Sequence, residues 1–215
     1  MEREALSHFG LQYITNGADT ESVVCEVRHV LRGGCRWVQL RMKEATEEEV
    51  RETARTVKQM CDEAGATFIV DDHVGVCKEV GASGVHLGKN DMAPAEARKI
   101  LGNKYIIGGT CNTAADIIAI AEAVDYVGVG PYRFTTTKKN LAPTLGLEGY
   151  REIAWEVRSR GINTPIVAIG GIRREDVREI LQAGANGIAV SGAIGKAEDV
   201  AEATAEFISE IERRE

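Results

Sequence analysis

The sequence predicts a closed (β/α)8 barrel, also called a TIM barrel, that occupies residues 1–215 as a single domain. Eight short apolar runs alternate with helical patterns along the whole chain, and no linker or shift in composition marks a second domain. The segment at 80–85 reads VGASGV and resembles AGANGI at 183–188, about half a chain later. A weak half-length repeat is typical of such barrels, and an open doubly wound sheet is the alternative architecture.

The eight predicted strands are short and mostly apolar on both faces, as parallel strands covered on both sides are. In chain order they are Leu11–Thr15, Trp37–Leu40, Thr67–Val70, Gly84–Leu87, Tyr105–Gly109, Tyr126–Gly130, Ile166–Gly170 and Gly187–Val190.

Helix boundaries between these strands are indicated by capping residues. After the second strand, Thr46 and Glu49 form a capping box, and apolar residues then recur every three or four positions. Gly65, Gly81 and Gly184 each follow a helical pattern and precede a strand, as glycines that end helices do.

Composition excludes several classes of partner. The net charge of −7 argues against broad binding of nucleic acid or of an acidic membrane surface. No uncharged apolar run approaches 18 residues, so no membrane span is expected, and the N-terminal residues show no secretory signal. The expected partners are therefore small molecules, and the sequence leaves open whether the chain is a monomer or a homo-oligomer.

Cysteine usage predicts a reducing compartment. The five cysteines form no C-x-x-C pair and their number is odd, so we expect reduced thiols in a cytoplasmic protein. A zinc site is not expected, because neither the cysteines nor the four histidines show ligand spacing.

Polar residues cluster where the predicted strands end, which is where barrels carry their chemistry. Gln39, Arg41 and Lys43 alternate along the second strand, point to one side and suit a polyanion. Asp72 and Asp91 follow the third and fourth strands and suit Mg²⁺ together with phosphate oxygens, although either could instead cap a helix.

A phosphate site is predicted after the last two strands. Gly170-Gly171 and Ser191-Gly192 would expose backbone N–H groups there, and the alternative is a glycine turn with a serine cap. The loop after the sixth strand carries Thr135-Thr136-Thr137 and Lys138-Lys139, which also suit phosphate. His86 lies in an apolar run and is expected to be a packed core histidine.

Together these residues resemble the thiamine phosphate synthase family over about residues 10–195. The likeness rests on separate motifs along the chain. They are Val38-Gln39-Leu40-Arg41-Met42-Lys43, Val70-Asp71-Asp72-His73, Gly84-Val85-His86-Leu87-Gly88 with Asp91-Met92, Gly128-Val129-Gly130-Pro131 with Thr137-Lys138-Lys139, Ala168-Ile169-Gly170-Gly171-Ile172 and Val190-Ser191.

The resemblance implies a transferase of thiamine biosynthesis. It would join 4-amino-5-hydroxymethyl-2-methylpyrimidine diphosphate to 4-methyl-5-(2-phosphoethyl)thiazole, giving thiamine phosphate and diphosphate by dissociative loss of the diphosphate. Mg²⁺ would be the cofactor.

The resemblance also implies a role for each motif residue. Asp72 and Asp91 would hold Mg²⁺. The pyrimidine diphosphate would bind Gln39, Leu40, Arg41, Met42, Lys43, Asp71, Thr110 and Lys138, of which Arg41, Lys43, Thr110 and Lys138 would act on the departing diphosphate. The thiazole phosphate would bind Thr135, Thr136, Thr137, Gly171, Val190 and Ser191.

Three positions and one loop segment depart from the family pattern. Asp71 stands where the family usually has Asn, His73 replaces Arg, and Thr110 replaces Ser. Tyr132-Arg133-Phe134 lacks the prolines often present before the threonines. Two rival functions remain: a thiazole tautomerase, which would need no diphosphate site, and a non-catalytic barrel that binds a phosphorylated ligand.

Overall fold

The computed structural model describes residues 10–134 and 143–213, and these form one closed barrel. Each strand pairs in parallel with the next one in the chain, and the eighth pairs with the first through Leu11–Ile188 and Tyr13–Val190. The strands are β1 (Leu11–Ile14), β2 (Trp37–Leu40), β3 (Thr67–Asp71), β4 (Gly84–Leu87), β5 (Ile106–Cys111), β6 (Tyr126–Val129), β7 (Ile166–Ile169) and β8 (Gly187–Val190). The predicted barrel is confirmed, and all eight predicted strands are present.

Helices connect the strands and surround the barrel. They are α1 (Thr20–Arg32), α2 (Glu47–Glu63), α3 (Val74–Val80), α4 (Pro94–Leu101), α5 (Ala114–Ile120), α6 (Gly146–Ser159), α7 (Val177–Gln182), α8 (Gly192–Gly195) and α9 (Val200–Glu212), with a 3-10 turn at Arg174–Asp176 before α7. The predicted capping box of α2 is confirmed, because Thr46 accepts from the N–H of Glu49 and Glu49 accepts from the N–H of Thr46. Gly65, Gly81 and Gly184 all have positive φ at helix ends, as predicted.

Two strands extend further than the apolar pattern indicates. β5 continues through Thr110 and Cys111, which pair with Gly128 and Val129 of β6. β3 includes Asp71, which pairs with His86 of β4. Thr110 therefore lies within a strand rather than after it, because pairing with neighbouring strands outweighs the polarity of the side chain.

The core has two layers. The larger layer lies between the strands and the helices. The smaller one fills the barrel interior with the side chains Ile14, Trp37, Ile69, Ile106, Tyr126, Val167 and Ala189. Gln12, Gln39, Asp71 and His86 are also buried, and they lie on the same alternating register of their strands as the interior apolar side chains.

All five cysteines are free thiols, as expected for reduced cysteines. Cys25 is exposed, whereas Cys35, Cys61, Cys77 and Cys111 are buried, and burial raises the pKa of each of these four thiols. Among the helices of the described residues, none is long and apolar enough to cross a membrane.

Candidate active site

The basic residues Arg41 and Lys43, which follow β2 rather than lie on it, meet the carboxylate that ends β3. Gln39 and Asp71 are almost fully buried, and Gln39 Nε2 donates to Asp71 Oδ1 at 2.8 Å. The other oxygen of Asp71 faces two cations, with Lys43 Nζ at 3.2 Å and Arg41 Nε at 3.8 Å. The structure therefore brings Gln39, Arg41 and Lys43 to one side, as the alternation in the sequence predicts.

Burial and neighbouring charges have opposite effects on the pKa values in this cluster. Burial raises the pKa of Asp71, although the ammonium of Lys43 acts in the opposite direction. Burial alone would lower the pKa of Lys43, but the carboxylates of Asp71 and Asp72 outweigh it, so the pKa of Lys43 is raised. Lys43 therefore stays charged at neutral pH and can meet an anionic ligand.

Asp72 adopts an unusual backbone conformation beside this cluster. Its φ of +63° is the left-handed conformation that residues other than Gly, Asn and Asp seldom adopt. Asp72 Oδ2 accepts from Lys43 Nζ, while Oδ1 is buried and finds no hydrogen-bond partner within the described part of the chain. A buried carboxylate oxygen without a donor is a natural position for a cation.

Asp91 completes a pair of carboxylates at the start of the connection from β4 to α4. Asp91 Oδ2 accepts from the N–H of Gly88 at 2.7 Å. Burial and the adjacent carboxylate of Asp72 both raise the pKa of Asp91, so the two side chains lie close together. Such a proximity of like charges is favourable once a cation lies between them.

Neither aspartate caps a helix, so that alternative is wrong. The residue at the N-cap of α3 is His73 and that of α4 is Ala93, and neither makes a side-chain capping bond. Asp72 and Asp91 fit Mg²⁺, which is commonly held by one or two carboxylates plus substrate phosphates. Across residues 10–134 and 143–213, no group of three or more His, Cys, Asp or Glu side chains forms a metal site, so substrate oxygens would complete the coordination.

A chain of hydrogen bonds through the barrel interior reaches Thr110. Gln12 Nε2 donates to the Tyr126 hydroxyl at 3.1 Å, and this hydroxyl lies 3.0 Å from His86 Nδ1. The other ring nitrogen, His86 Nε2, lies 3.0 Å from Thr110 Oγ1. His86 is buried as predicted, and its hydrogen bonds link the interior to a candidate site residue.

Sequence reasoning missed Gln12 and Tyr126 as supports of the site. The signal that could have indicated Tyr126 is a pair of glycines, Gly108 on β5 and Gly128 on β6, which leave room for its ring and for that of His86. A Cβ atom on Gly108 would lie 2.3 Å from Tyr126 Cζ, and one on Gly128 would lie 3.1 Å from His86 Cε1.

The loops after β7 and β8 form the second part of the site. Gly170 and Gly171 have φ of +96° and +67°, which glycine adopts without strain. Ser191 is the N-cap residue of the short α8, as the alternative predicts, but its side chain makes no capping bond. Ser191 Oγ is buried and has no partner among residues 10–134 and 143–213, which suits a hydroxyl that binds a ligand.

Other residues named by the resemblance contribute differently. The side chains of Leu40 and Val190 are buried in the core between strands and helices, so only their backbone atoms are available to a ligand, whereas Met42 is partly exposed beside that core. Thr135, Thr136, Thr137 and Lys138 lie outside the described residues.

Comparison with known proteins identifies the family. The family model for thiamine monophosphate synthase matches residues 11–194. A thiamine-phosphate synthase from Phocaeicola vulgatus is 53% identical over 190 residues, covering 88% of this chain and 91% of the relative. Another from Bacteroides fragilis is 50% identical over 200 residues, covering 93% and 98%.

A solved structure agrees with these relatives. The thiamine phosphate pyrophosphorylase from Pyrococcus furiosus superposes with a TM-score of 0.83 at 35% identity, covering 97% of this chain and 98% of that one. The chain therefore belongs to the thiamine monophosphate synthase family and is an enzyme of thiamine phosphate synthesis.

Proposed function

We propose that this chain joins 4-amino-5-hydroxymethyl-2-methylpyrimidine diphosphate to 4-methyl-5-(2-phosphoethyl)thiazole with Mg²⁺ as cofactor. The observation that carries the proposal is the presence of two anion-binding clusters at one mouth of the barrel. One comprises Arg41, Lys43 and the carboxylate pair at Asp72 and Asp91, and the other contains Gly171 and Ser191.

The first cluster suits a diphosphate and its metal ion. Asp72 and Asp91 would hold Mg²⁺, with Asp72 Oδ1 as an available ligand oxygen. When bound, Mg²⁺ neutralises negative charge that collects on the departing diphosphate. Arg41 and Lys43 already carry positive charge at this position and contribute to the same stabilisation without reorganisation.

The reaction needs no nucleophilic side chain. The carbon–oxygen bond between the pyrimidine methylene and the diphosphate breaks, and its electron pair leaves with the diphosphate. The thiazole nitrogen then donates its lone pair to that carbon and forms the new carbon–nitrogen bond. Catalysis consists mainly of orientation and charge stabilisation.

Thr110 and Lys138 extend the diphosphate site in this proposal. His86 holds the Thr110 hydroxyl at 3.0 Å, which orients it at the mouth of the barrel. Lys138 follows the threonines of the loop after β6 and would add a further cation for the diphosphate.

The second cluster suits the thiazole phosphate. Backbone groups at Gly171 and Val190 and the hydroxyl of Ser191 would bind its phosphate, together with Thr135, Thr136 and Thr137. A thiazole tautomerase would need this cluster alone, so the carboxylate pair beside Lys43 favours the synthase.

The direct test is to incubate the protein with both substrates and Mg²⁺ and to measure thiamine phosphate. Formation should stop when the metal is chelated and resume when Mg²⁺ is restored. Ser191→Ala should raise KM for the thiazole phosphate about tenfold and leave KM for the pyrimidine diphosphate within about twofold. Conversion of a thiazole tautomer without metal, with no thiamine phosphate formed, would support the tautomerase instead.

The remaining parts of the proposal concern the protein as a whole. We assign all 215 residues to the one barrel domain and place the protein in the cytoplasm. Five free thiols, four of them buried, support a reducing compartment. Its partners are the two small-molecule substrates, and a homo-oligomer is compatible with the site.

A further inference from the structure

We infer that the ion pair between Arg133 and Asp176 is a positioning device for the thiazole phosphate subsite. It holds the Gly171 backbone against the segment that follows β6, so it governs binding of the thiazole phosphate and not of the pyrimidine diphosphate. This inference rests on the proposed function and adds Arg133, which contacts the subsite backbone rather than the substrate, and Asp176, which holds Arg133.

The ion pair has the two-pronged geometry of a strong arginine–carboxylate contact. Arg133 Nη1 donates to Asp176 Oδ2 and Nη2 donates to Asp176 Oδ1, both at 2.8 Å. Arg133 Nη1 also donates to the carbonyl oxygen of Gly171 at 2.9 Å. One guanidinium therefore connects three segments: the segment after β6, the glycine loop after β7, and the 3-10 turn before α7.

The bond to the Gly171 carbonyl determines how that peptide is oriented. The carbonyl of Gly171 and the N–H of Ile172 share one planar peptide, so fixing the first fixes the second. Gly171 has positive φ, and glycine has the greatest backbone freedom of any residue. Without the guanidinium, this peptide would have more orientations available to it.

Backbone hydrogen bonds also attach the segment after β6 to the glycine loop after β7. The N–H of Tyr132 donates to the carbonyl of Ile169 at 2.9 Å, and that of Arg133 donates to Gly170 at 3.0 Å. The segment Tyr132-Arg133-Phe134 contains no proline, so no ring restricts its backbone. Hydrogen bonds, including those of the Arg133 side chain, must hold it beside the glycine loop.

The carboxylate of Asp176 is itself held in place and can therefore anchor Arg133. Only 7% of its surface is exposed, and Oδ2 also accepts from the N–H of Arg173 at 2.8 Å. A buried carboxylate that loses its cation is strongly unfavourable, so the pair resists separation.

The position of the pair in the ring explains why it should affect binding of the thiazole phosphate more than binding of the pyrimidine diphosphate. Arg133 and Asp176 follow β6 and β7, whereas the cluster of Arg41, Lys43, Asp72 and Asp91 follows β2, β3 and β4, and of the proposed diphosphate residues Lys138 alone belongs to the loop after β6. In a closed ring of eight strands these groups lie on opposite sides of the mouth.

The chain offers a matched control at the other end of the barrel. Asp125 precedes β6, accepts from Arg98 Nη2 at 2.6 Å, and accepts from the N–H of Ile107 at 2.8 Å. Asp125 thus resembles Asp176 in binding one arginine and one backbone N–H, but it lies far from the mouth.

The experiment compares Asp176→Asn, Arg133→Lys and Asp125→Asn in steady-state kinetics and thermal unfolding of the full chain. Asp176→Asn should raise KM for the thiazole phosphate about tenfold and leave KM for the pyrimidine diphosphate within about twofold. Arg133→Lys keeps the charge but loses the two-pronged contact, so its KM for the thiazole phosphate should rise by a smaller factor. Asp125→Asn should lower Tm and leave both KM values within about twofold.

Three outcomes would overturn the inference. These are equal changes in both KM values, no change in either, or the same kinetic change in Asp125→Asn. If Asp176→Asn does not fold, Arg133→Lys alone tests the inference by the same criterion. In that variant the buried carboxylate of Asp176 still faces a cation. Wild-type protein that makes no thiamine phosphate would refute the proposed function, whereas a KM effect in Ser191→Ala without one in Asp176→Asn would refute only this inference.

Discussion

Two neighbouring aspartates show how surroundings separate the roles of identical side chains. Asp71 is buried, accepts from Gln39, and balances Lys43 and Arg41. The expectation that Asp71 also binds the pyrimidine diphosphate stays a prediction, and its Oδ1 already accepts from Gln39. Asp72 has left-handed backbone and a buried oxygen that lacks a donor within the described residues, which makes it the better metal ligand.

At the residue scale, Asp91→Asn tests the metal site. The amide keeps an oxygen that can accept from the Gly88 N–H, but it removes the charge that Mg²⁺ needs. We expect turnover to fall about a hundredfold or more and stability to change by about 0.5 kcal/mol or less. The measurement is kcat across a Mg²⁺ titration together with Tm.

The control for this variant is Asp62→Asn, which removes a charge paired with Lys58 on the exposed face of α2. It should leave turnover unchanged. Unchanged turnover in Asp91→Asn at low Mg²⁺ would contradict the metal role.

At the element scale, carboxylates and hydroxyls at helix starts hold the loops that carry the site. Asp116, in the first turn of α5, accepts from the N–H groups of Asn112 and Thr113 and from Lys89 Nζ, all through Oδ2. Lys89 belongs to the connection after β4, so one carboxylate joins two neighbouring loops at the mouth. The start of α5 and the loop that contains Asp91 are thereby held together.

The stabilisation from Asp116 should depend on pH. Burial raises the pKa of Asp116, but the ammonium of Lys89 and the N–H of Asn112 outweigh it, so the pKa is lowered in the folded state. Its contribution to the free energy of unfolding is therefore complete above the unfolded pKa of about 3.9 and is lost as pH falls through the folded-state pKa.

Asp116→Asn should consequently reduce stability at neutral pH by about 1 kcal/mol. The difference in Tm between the wild type and the variant should stay constant from about pH 7 to pH 5 and shrink on further acidification. Circular dichroism melting curves across this range provide the measurement, and a difference independent of pH would argue against a charged Asp116 as the cause.

At the scale of the whole molecule, the barrel interior changes from apolar to polar along its axis. Its apolar side chains, Trp37 and Tyr126 among them, pack as one cluster. Hydrogen bonds from Tyr126 to His86 and from His86 to Thr110 connect this cluster to the candidate site. Glycines on β5 and β6 supply the space that these two rings occupy.

Gly108→Ala tests this packing. The added Cβ would lie 2.3 Å from Tyr126 Cζ and 2.5 Å from His86 Nδ1, so the rings or strands must move. We expect a loss of about 1–3 kcal/mol in stability, with Tm falling about 2–4 °C for each kcal/mol. Gly75→Ala on α3 is the matched control, because its Cβ meets no atom within 4 Å. The control should raise stability by about 0.5–1 kcal/mol, and an equal rise in both variants would contradict the packing argument.

The sequence by itself determined the barrel, its eight strands, the cap of α2 and the polar strand ends. These features follow from apolar periodicity and turn chemistry, which act over a few residues. Gln39, Arg41 and Lys43 could be assigned to one side from their alternating spacing, which is local, although β2 itself ends at Leu40.

Only the tertiary structure decided which distant residues meet. The bond between Gln12 and Tyr126 spans 114 positions, and that between Arg133 and Asp176 spans 43. Strand pairing brought Thr110 into β5, and the residues at which α3 and α4 begin excluded the capping roles of Asp72 and Asp91. The register between strands depends on the packing of all eight strands at once, so no local pattern in the sequence encodes it.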